Sequence, residues 1–257
     1  MVLRRDSVID QMGVPIQEIN SRSNLGVLVG RILTLPGLRG FWPMSSWDGS
    51  FNAYDISGQG RTLTPTNLTG SSFGHWSGLP YVIMNGVNQK LTRADEAGLD
   101  ITGPLTMGCA VLNVTPTASG TFFNKYDGTG NQRSYWLGCS GNSFQMVVSG
   151  DGTGATQAVA TLSGVWSNLQ KFSFVVGKYI PSVSIGVYAN GLWNKNTTSI
   201  PASIYNSSTP LQIGVHDGSV YYNCAIGMVW LCSYALEDFI IDELYDISRA
   251  FVGSVDL

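Results

Sequence analysis

Apolar and polar residues alternate with a period of two through most of the chain. In FSFVVGKY, Phe172, Phe174 and Val176 fall on one side, with Ser173 and Gly177 on the other. SVSIGVY repeats the pattern with Val183, Ile185 and Val187, SFQMVVSG with Phe144, Met146 and Val148, and LQIGVH with Leu211, Ile213 and Val215. Successive strand residues point to opposite faces, so these runs predict strands with one apolar face. Many such strands suit a sandwich of two sheets. Asn190-Gly191 separates two of the runs. It predicts a tight hairpin, because a type I′ turn needs positive φ at both positions. KYDGTGNQ (125–132) and SGDGTGAT (149–156) carry turn chemistry and read as loops.

Two stretches depart from this pattern. ALEDFIIDELY sets Leu236, Phe239 or Ile240, Glu243 and Leu244 at helical spacing, which predicts one short C-terminal helix. The first 34 residues hold no clean alternation, and Pro15 and Pro36 punctuate this end of the chain. Residues 1–37 therefore read as an N-terminal extension, an assembly arm, and residues 38–257 as one all-β antiparallel two-sheet sandwich.

Composition narrows the function classes. At 257 residues and 44% hydrophobic content the chain can bury a substantial core. Only 12% of residues are charged and 31 are Gly, so the surface is polar but largely neutral. That mixture favours short strands and turns over helices. A net charge of -3, with no basic cluster beyond Arg4-Arg5, argues against nucleic-acid binding. No apolar run has the length of a membrane span, and the charged N-terminus lacks the apolar region of a signal peptide. Cys109, Cys139, Cys224 and Cys232 show no C-x-x-C spacing. If Cys224 and Cys232 lie in one strand, they share a face about 26 Å apart, beyond disulfide reach. They read as buried free thiols.

Several segments, in order, have a familiar form: LRGFWPM (38–44), AYDISGQGRTLT (53–64), YVIMNGVNQKLT (81–92), LDITGPLTMGCAV (99–111) and FFNKYDGTGNQRSYWL (122–137). VWSNLQKFSFVV, VYANGLW, LQIGVHDG and SYALEDFIIDELY complete the series. As an ordered set they resemble a laminin-G-like jelly roll of the concanavalin A-like lectin/glucanase superfamily. The resemblance implies two curved antiparallel sheets. It leaves function open, since members bind glycans or proteins, hydrolyse polysaccharides or serve as structural modules.

Catalysis finds little support in the residues. The superfamily's glucanases carry Glu-x-Asp-x-x-Glu on one strand, because a retaining mechanism needs two nearby carboxylates. Glu18, Glu96, Glu237 and Glu243 are the four Glu here, and none has an Asp two positions later. GSSFG (70–74), followed by His75, matches Gly-x-Ser-x-Gly with Ser72 as nucleophile. That chemistry needs a strand-to-helix elbow, which neither TPTNLT before it nor WSGLP after it supplies. His216-Asp217 reads as a loop pair. No enzyme is expected.

The resemblance implies a calcium site near the Asp-x-Ser-Gly turn, which makes Asp55 the candidate ligand. The second acid it implies falls near Gly227, where none exists, so calcium is optional and no cofactor is required. Trp76, Tyr126, Trp136 and Trp193 lie near Asn- and Gly-rich loops and are the candidate glycan contacts. Core or hairpin packing is the competing role for each. Sequons at Asn67, Asn113, Asn196 and Asn206 follow from the composition and carry little weight.

A neutral surface suits extracellular life, and release by cell lysis would supply it without a signal peptide. The expectation is therefore a non-enzymatic bacteriophage structural protein, a capsid decoration or tail/fibre component located in the virion. It would be a homo-oligomer joined to other virion proteins through its arm. The alternative is a carbohydrate-binding module or adhesin recognising cell-surface glycans.

Overall fold

The computed structural model describes residues 16–45, 49–113, 119–164 and 172–252. Arg4, Arg5, Pro15, the side chain of Asn113 and the Trp166-led start of one family-like strand lie outside the described residues. Helix α1 (Ile16–Leu33) comes first. The strands are β1 (Leu38–Trp42), β2 (Thr64–Thr66), β3 (Phe73–Trp76), β4 (Leu79–Asn85), β5 (Lys90–Arg93), β6 (Leu105–Asn113), β7 (Gly120–Asp127), β8 (Gln132–Ser140) and β9 (Ser143–Ser149). They continue with β10 (Gln157–Ser163), β11 (Ser173–Ile180), β12 (Ser184–Ala189), β13 (Leu192–Asn196), β14 (Leu211–Ile213), β15 (Val215–His216), β16 (Val220–Tyr221) and β17 (Asn223–Cys232). Helix α2 (Asp238–Ser248) follows.

Two antiparallel sheets result, as the alternation predicts. The first runs β13-β12-β11-β6-β17-β4-β3, with β1 also paired to β17; the second runs β10-β9-β8-β7-β14-β5-β2. Trp42, Met107, Phe122, Phe123, Tyr135 and Val229 fill the space between them, together with the inward set Phe144, Met146 and Val148. Leu211 and Ile213 also face this core. Gly214 at φ 77 ends that run, so Val215 starts the separate β15–β16 hairpin. Val183 sits in the turn before β12 and is 56% exposed, unlike Ile185 and Val187. Asn190 and Gly191 take φ 50 and 96 between β12 and β13, the positive pair a type I′ hairpin requires.

A second apolar layer covers the other face of the first sheet. Phe41, Phe174, Val176, Tyr188 and Trp230 meet Leu28 and Ile32 of α1 and Ile241, Leu244 and Tyr245 of α2. Burying a Leu or Ile side chain contributes roughly 1.5–3 kcal/mol, so fully buried Leu28 and Ile32 hold α1 on the sheet. Arg31 adds a surface ion pair to Glu243 at 2.9 Å. The described part of the predicted arm therefore docks on its own sandwich.

The C-terminal helix forms where expected: Leu236, Ile240 and Leu244 pack in the helix layer, joined by Ile241 and Tyr245. Asp238 binds Lys178 at 2.6 Å and also pairs with Lys195. This turns positions 238, 241 and 245 toward the sheet and leaves Phe239 68% exposed. A bulge between Gly227 and Val229 changes the reading of β17. One inserted residue reverses the alternation, so Cys224 faces the inter-sheet core and Cys232 the helix layer. All four cysteines are buried; burial pushes the Cys232 thiol up to about 12.

The layering is asymmetric. Helices and sheet sandwich the first sheet, whereas the second is covered on its inner face, and its outer face is where polar side chains are free to gather.

Candidate functional site

On β8, Tyr135, Leu137 and Cys139 point inward, which leaves Trp136 and Gly138 on the outer face. The indole of Trp136 lies across Gly138, where a Cβ would stand 2.4 Å from its Cζ2; only glycine admits this approach. Trp136 Nε1 donates to Thr121 Oγ1 at 2.5 Å. Beside it, Tyr126 accepts a hydrogen bond from Gln157 Nε2 at 2.6 Å. The β15–β16 hairpin folds over this face because Asn124 Nδ2 donates to the Val215 carbonyl at 2.7 Å and the Gly128 N–H to Asp217 Oδ1 at 2.6 Å. His216 is thereby placed 5.1 Å from the Tyr126 ring and 6.2 Å from a ring of Trp136. A recess of about 180 Å³ opens between hairpin and sheet, lined by Trp136, Gln145, His216, Val220, Ser140 and Thr121 among others.

His216 Nδ1 stands 3.2 Å from Asp217 Oδ2. Burial lowers the imidazole pKa below its ordinary range; Arg133 also lowers it, while Asp217 and Asp127 oppose the shift. The ring is therefore neutral near pH 7, and one of its two nitrogens is a hydrogen-bond acceptor. Hydrogen bonds from Thr129 hold the Asp127 carboxyl below the usual range. Arg133 stacks over Tyr126 at 5.8 Å and donates to the Gly128 and Gly152 carbonyls at 2.7 and 3.3 Å. Cys139 donates to the Tyr222 hydroxyl at 3.1 Å, and burial raises its pKa, which disfavours the thiolate. An aromatic wall, an amide, hydroxyls and an imidazole acceptor can hold a small polyhydroxylated ring.

The four aromatic candidates fall in three places. Tyr126 and Trp136 meet in this cluster. Trp193 lies on the outer side of the first sheet, 5.1 Å from Tyr188, with Lys195 and Lys178 at 4.8 and 5.6 Å from its ring. Trp76 ends β3 and is 39% exposed. The residues missed by sequence reading are Gln145 and, as a site residue, His216. Gln145 sits between inward Phe144 and Met146, so alternation alone could have placed it outward.

Asp55 binds its own turn. Its Oδ1 accepts the N–H groups of Phe41 and Ser57 at 3.0 and 2.9 Å, and Oδ2 that of Arg61 at 2.8 Å. Among the described residues no three His, Cys, Asp or Glu side chains cluster as a metal site. Ser72 closes a short 3-10 turn, Gly70–Ser72, and its hydroxyl accepts from Thr69 N and Gln89 Nε2, both at 3.2 Å. No nucleophile elbow forms there.

No family model and no curated protein matches the sequence. Solved structures do match in fold. The binding domain of Paraclostridial Mosquitocidal Protein 1 superposes with a TM-score of 0.63 at 10% identity, over 81% of this chain and 52% of that one. The fold is a concanavalin A-like jelly roll. The ligand binding domain of botulinum neurotoxin serotype D, solved with N-acetylneuraminic acid, gives 0.63 at 11% identity, over 85% and 52% of the two chains. That of botulinum neurotoxin DC, solved with rat synaptotagmin II, gives 0.60 at 12%, over 82% and 51%. The jelly roll thus spans about half the length of these toxin domains.

These likenesses correct the expected function. The three similar folds named above are binding domains, two of them of botulinum neurotoxins, and not capsid decorations or tail components, so the bacteriophage, virion and virion-partner expectations are withdrawn. The physical reason lies in α1, whose Leu28 and Ile32 pack on the chain's own sheet instead of on a neighbouring protein.

Proposed function

We propose that this jelly roll is a carbohydrate- or receptor-binding domain acting outside the cell or at a cell surface, through the outer face of its second sheet. The recess at Trp136, Gln145 and His216 carries this reading. An apolar wall with a few convergent polar groups is the common form of a ligand site. A similar domain solved with N-acetylneuraminic acid, and a similar structure from botulinum neurotoxin type C, whose cell entry depends on interaction with two ganglioside molecules, support a saccharide as ligand class. Trp136 is a contact in this reading; Tyr126 is not among the recess lining and packs against His216, while Trp76 and Trp193 serve elsewhere. It needs no cofactor, and calcium has no part in it.

A glycan array probed with the full chain tests the proposal. At least one glycan should bind, and the Gln145→Ala chain should lose most of that signal. Absence of any saccharide signal, on the array and on intact cells, would overturn the reading.

A further inference from the structure

We infer that the recess selects a single uncharged sugar ring and rejects acidic sugars; the inference rests on the binding role proposed above. Size comes first. A recess of about 180 Å³ is smaller than the roughly 300–1,000 Å³ of pockets for drug-sized ligands. It takes one ring, such as a terminal hexose, and leaves the rest of a chain in solvent.

Charge comes second. Among the described residues the lining consists of Ser, Thr, Gly, Trp, Cys, Gln, His and Val, with no Lys, Arg, Asp or Glu. The charges behind it are mostly negative. Asp217 lies against His216, and Asp127 acts on the same imidazole. Arg133, the cation of this cluster, is turned to the Gly128 and Gly152 carbonyls, to Asn131 Oδ1 at 3.2 Å and to the Tyr126 ring. A sugar carboxylate would enter without a cationic partner, and desolvating an unpaired carboxylate is strongly unfavourable.

Hydrogen-bond polarity comes third. Neutral His216 offers the lone pair of one ring nitrogen. A sugar hydroxyl can donate to that lone pair; a carboxylate oxygen cannot. Gln145 gives one N–H to Thr161 Oγ1 at 3.1 Å and keeps its carbonyl and second N–H for a hydroxyl, a pairing that needs no formal charge.

Saturation-transfer NMR on the full chain at pH 7.5 separates the possibilities, with methyl β-galactoside, N-acetylglucosamine and N-acetylneuraminic acid as probes at tens of millimolar. At least one neutral probe should bind, at about 1 mM, and N-acetylneuraminic acid should not. His216→Phe keeps the ring packing and removes the acceptor, and should weaken neutral binding roughly five- to tenfold. Val220→Trp, at a position 53% exposed, should fill the recess without disturbing the fold and abolish binding. If N-acetylneuraminic acid binds as well as the neutral probes and Val220→Trp blocks it, selectivity for neutral rings is refuted while the binding role stands. Neutral binding that both variants leave unchanged refutes the recess as the site. No binding by any probe refutes this inference, and the array result then decides the binding role separately.

Discussion

Replacing Asp55 tests how the turn YDISGQGRTLT is held. Its carboxylate accepts three backbone N–H groups, from Phe41, Ser57 and Arg61, at 2.8–3.0 Å. Phe41 is fully buried and Arg61 is 8% exposed, so neither N–H gains a water partner easily when the carboxylate is removed. An unsatisfied buried donor costs about 1–3 kcal/mol, whereas the half-exposed Ser57 finds solvent at small cost. Asp55→Ala should therefore lose about 3–5 kcal/mol, the sum of two such donors and one minor term. Asp55→Asn keeps an oxygen for Phe41 and Ser57 but turns an amide N–H toward Arg61, and should lose about 1–2 kcal/mol. For a chain of this size the alanine variant's loss corresponds to a fall in Tm of about 10 °C. Urea unfolding followed by tryptophan fluorescence, with a parallel thermal scan, reads both values. An alanine variant within about 1 kcal/mol of the parent, or equal losses for Asn and Ala, would refute the argument. Added calcium should leave the parent midpoint unchanged; a rise that disappears in Asp55→Asn would instead make the carboxylate a calcium ligand.

Three further perturbations probe other parts of the fold. Lys125 is fully buried and ion-paired to Asp95 at 2.7 Å and Asp100 at 3.1 Å. The Asp100 Oδ1 that faces Lys125 is buried, so Lys125→Met should cost about 3–5 kcal/mol in urea, the usual loss for a buried pair broken on one side. Ile32→Ala should cost about 2–4 kcal/mol from lost packing and Arg31→Ala at most about 0.5 kcal/mol; a silent Ile32→Ala would mean that α1 is not anchored to the sheet. His216 has a folded pKa below its ordinary value of 6.5, with burial as the largest cause. The unfolded chain therefore binds the proton more readily, and the stability linked to this residue is complete above about pH 6.5 and declines as pH falls below it. Asp217, Asp127 and Arg133 are the charged groups acting on the ring, and His216→Phe should flatten that part of the stability–pH curve.

The sandwich was legible because alternation is a local signal. Phe144, Met146 and Val148, or Asn190-Gly191, carry their meaning within a few residues. The bulge in β17 was not legible, since nothing in CAIGMVWLC marks the inserted residue that turns Cys224 and Cys232 to opposite faces. Helix α1 had a weak signal: Leu25, Leu28, Val29 and Ile32 recur at helical spacing, but Gly26 and Gly30 lower its intrinsic propensity. Its stability comes from tertiary packing, which a sequence does not display. The site was half legible. Aromatic residues near loops pointed to Tyr126 and Trp136, yet their meeting with His216 depends on a hairpin some 80 to 90 positions further along, held by Asn124 and Asp217.

The location of the candidate site follows from how the two sheets are covered. Along β11 every residue from Ser173 to Tyr179 is buried, because the inter-sheet core lies on one side and the helix layer on the other. Along β10, buried Ala158, Ala160 and Leu162 alternate with more exposed Gln157, Val159, Thr161 and Ser163. A side chain on the helix-covered face answers to packing on both sides, and altering it costs stability. A side chain on the outer face of β8, β9 or β10 can change at little cost to the fold, so chemistry can collect there. Trp136 is the informative exception: at 9% exposure on that solvent-side face, it is covered by the β15–β16 hairpin. A hairpin that buries an indole and sets a neutral imidazole beside it contributes nothing to the inter-sheet core. What it forms is a recess.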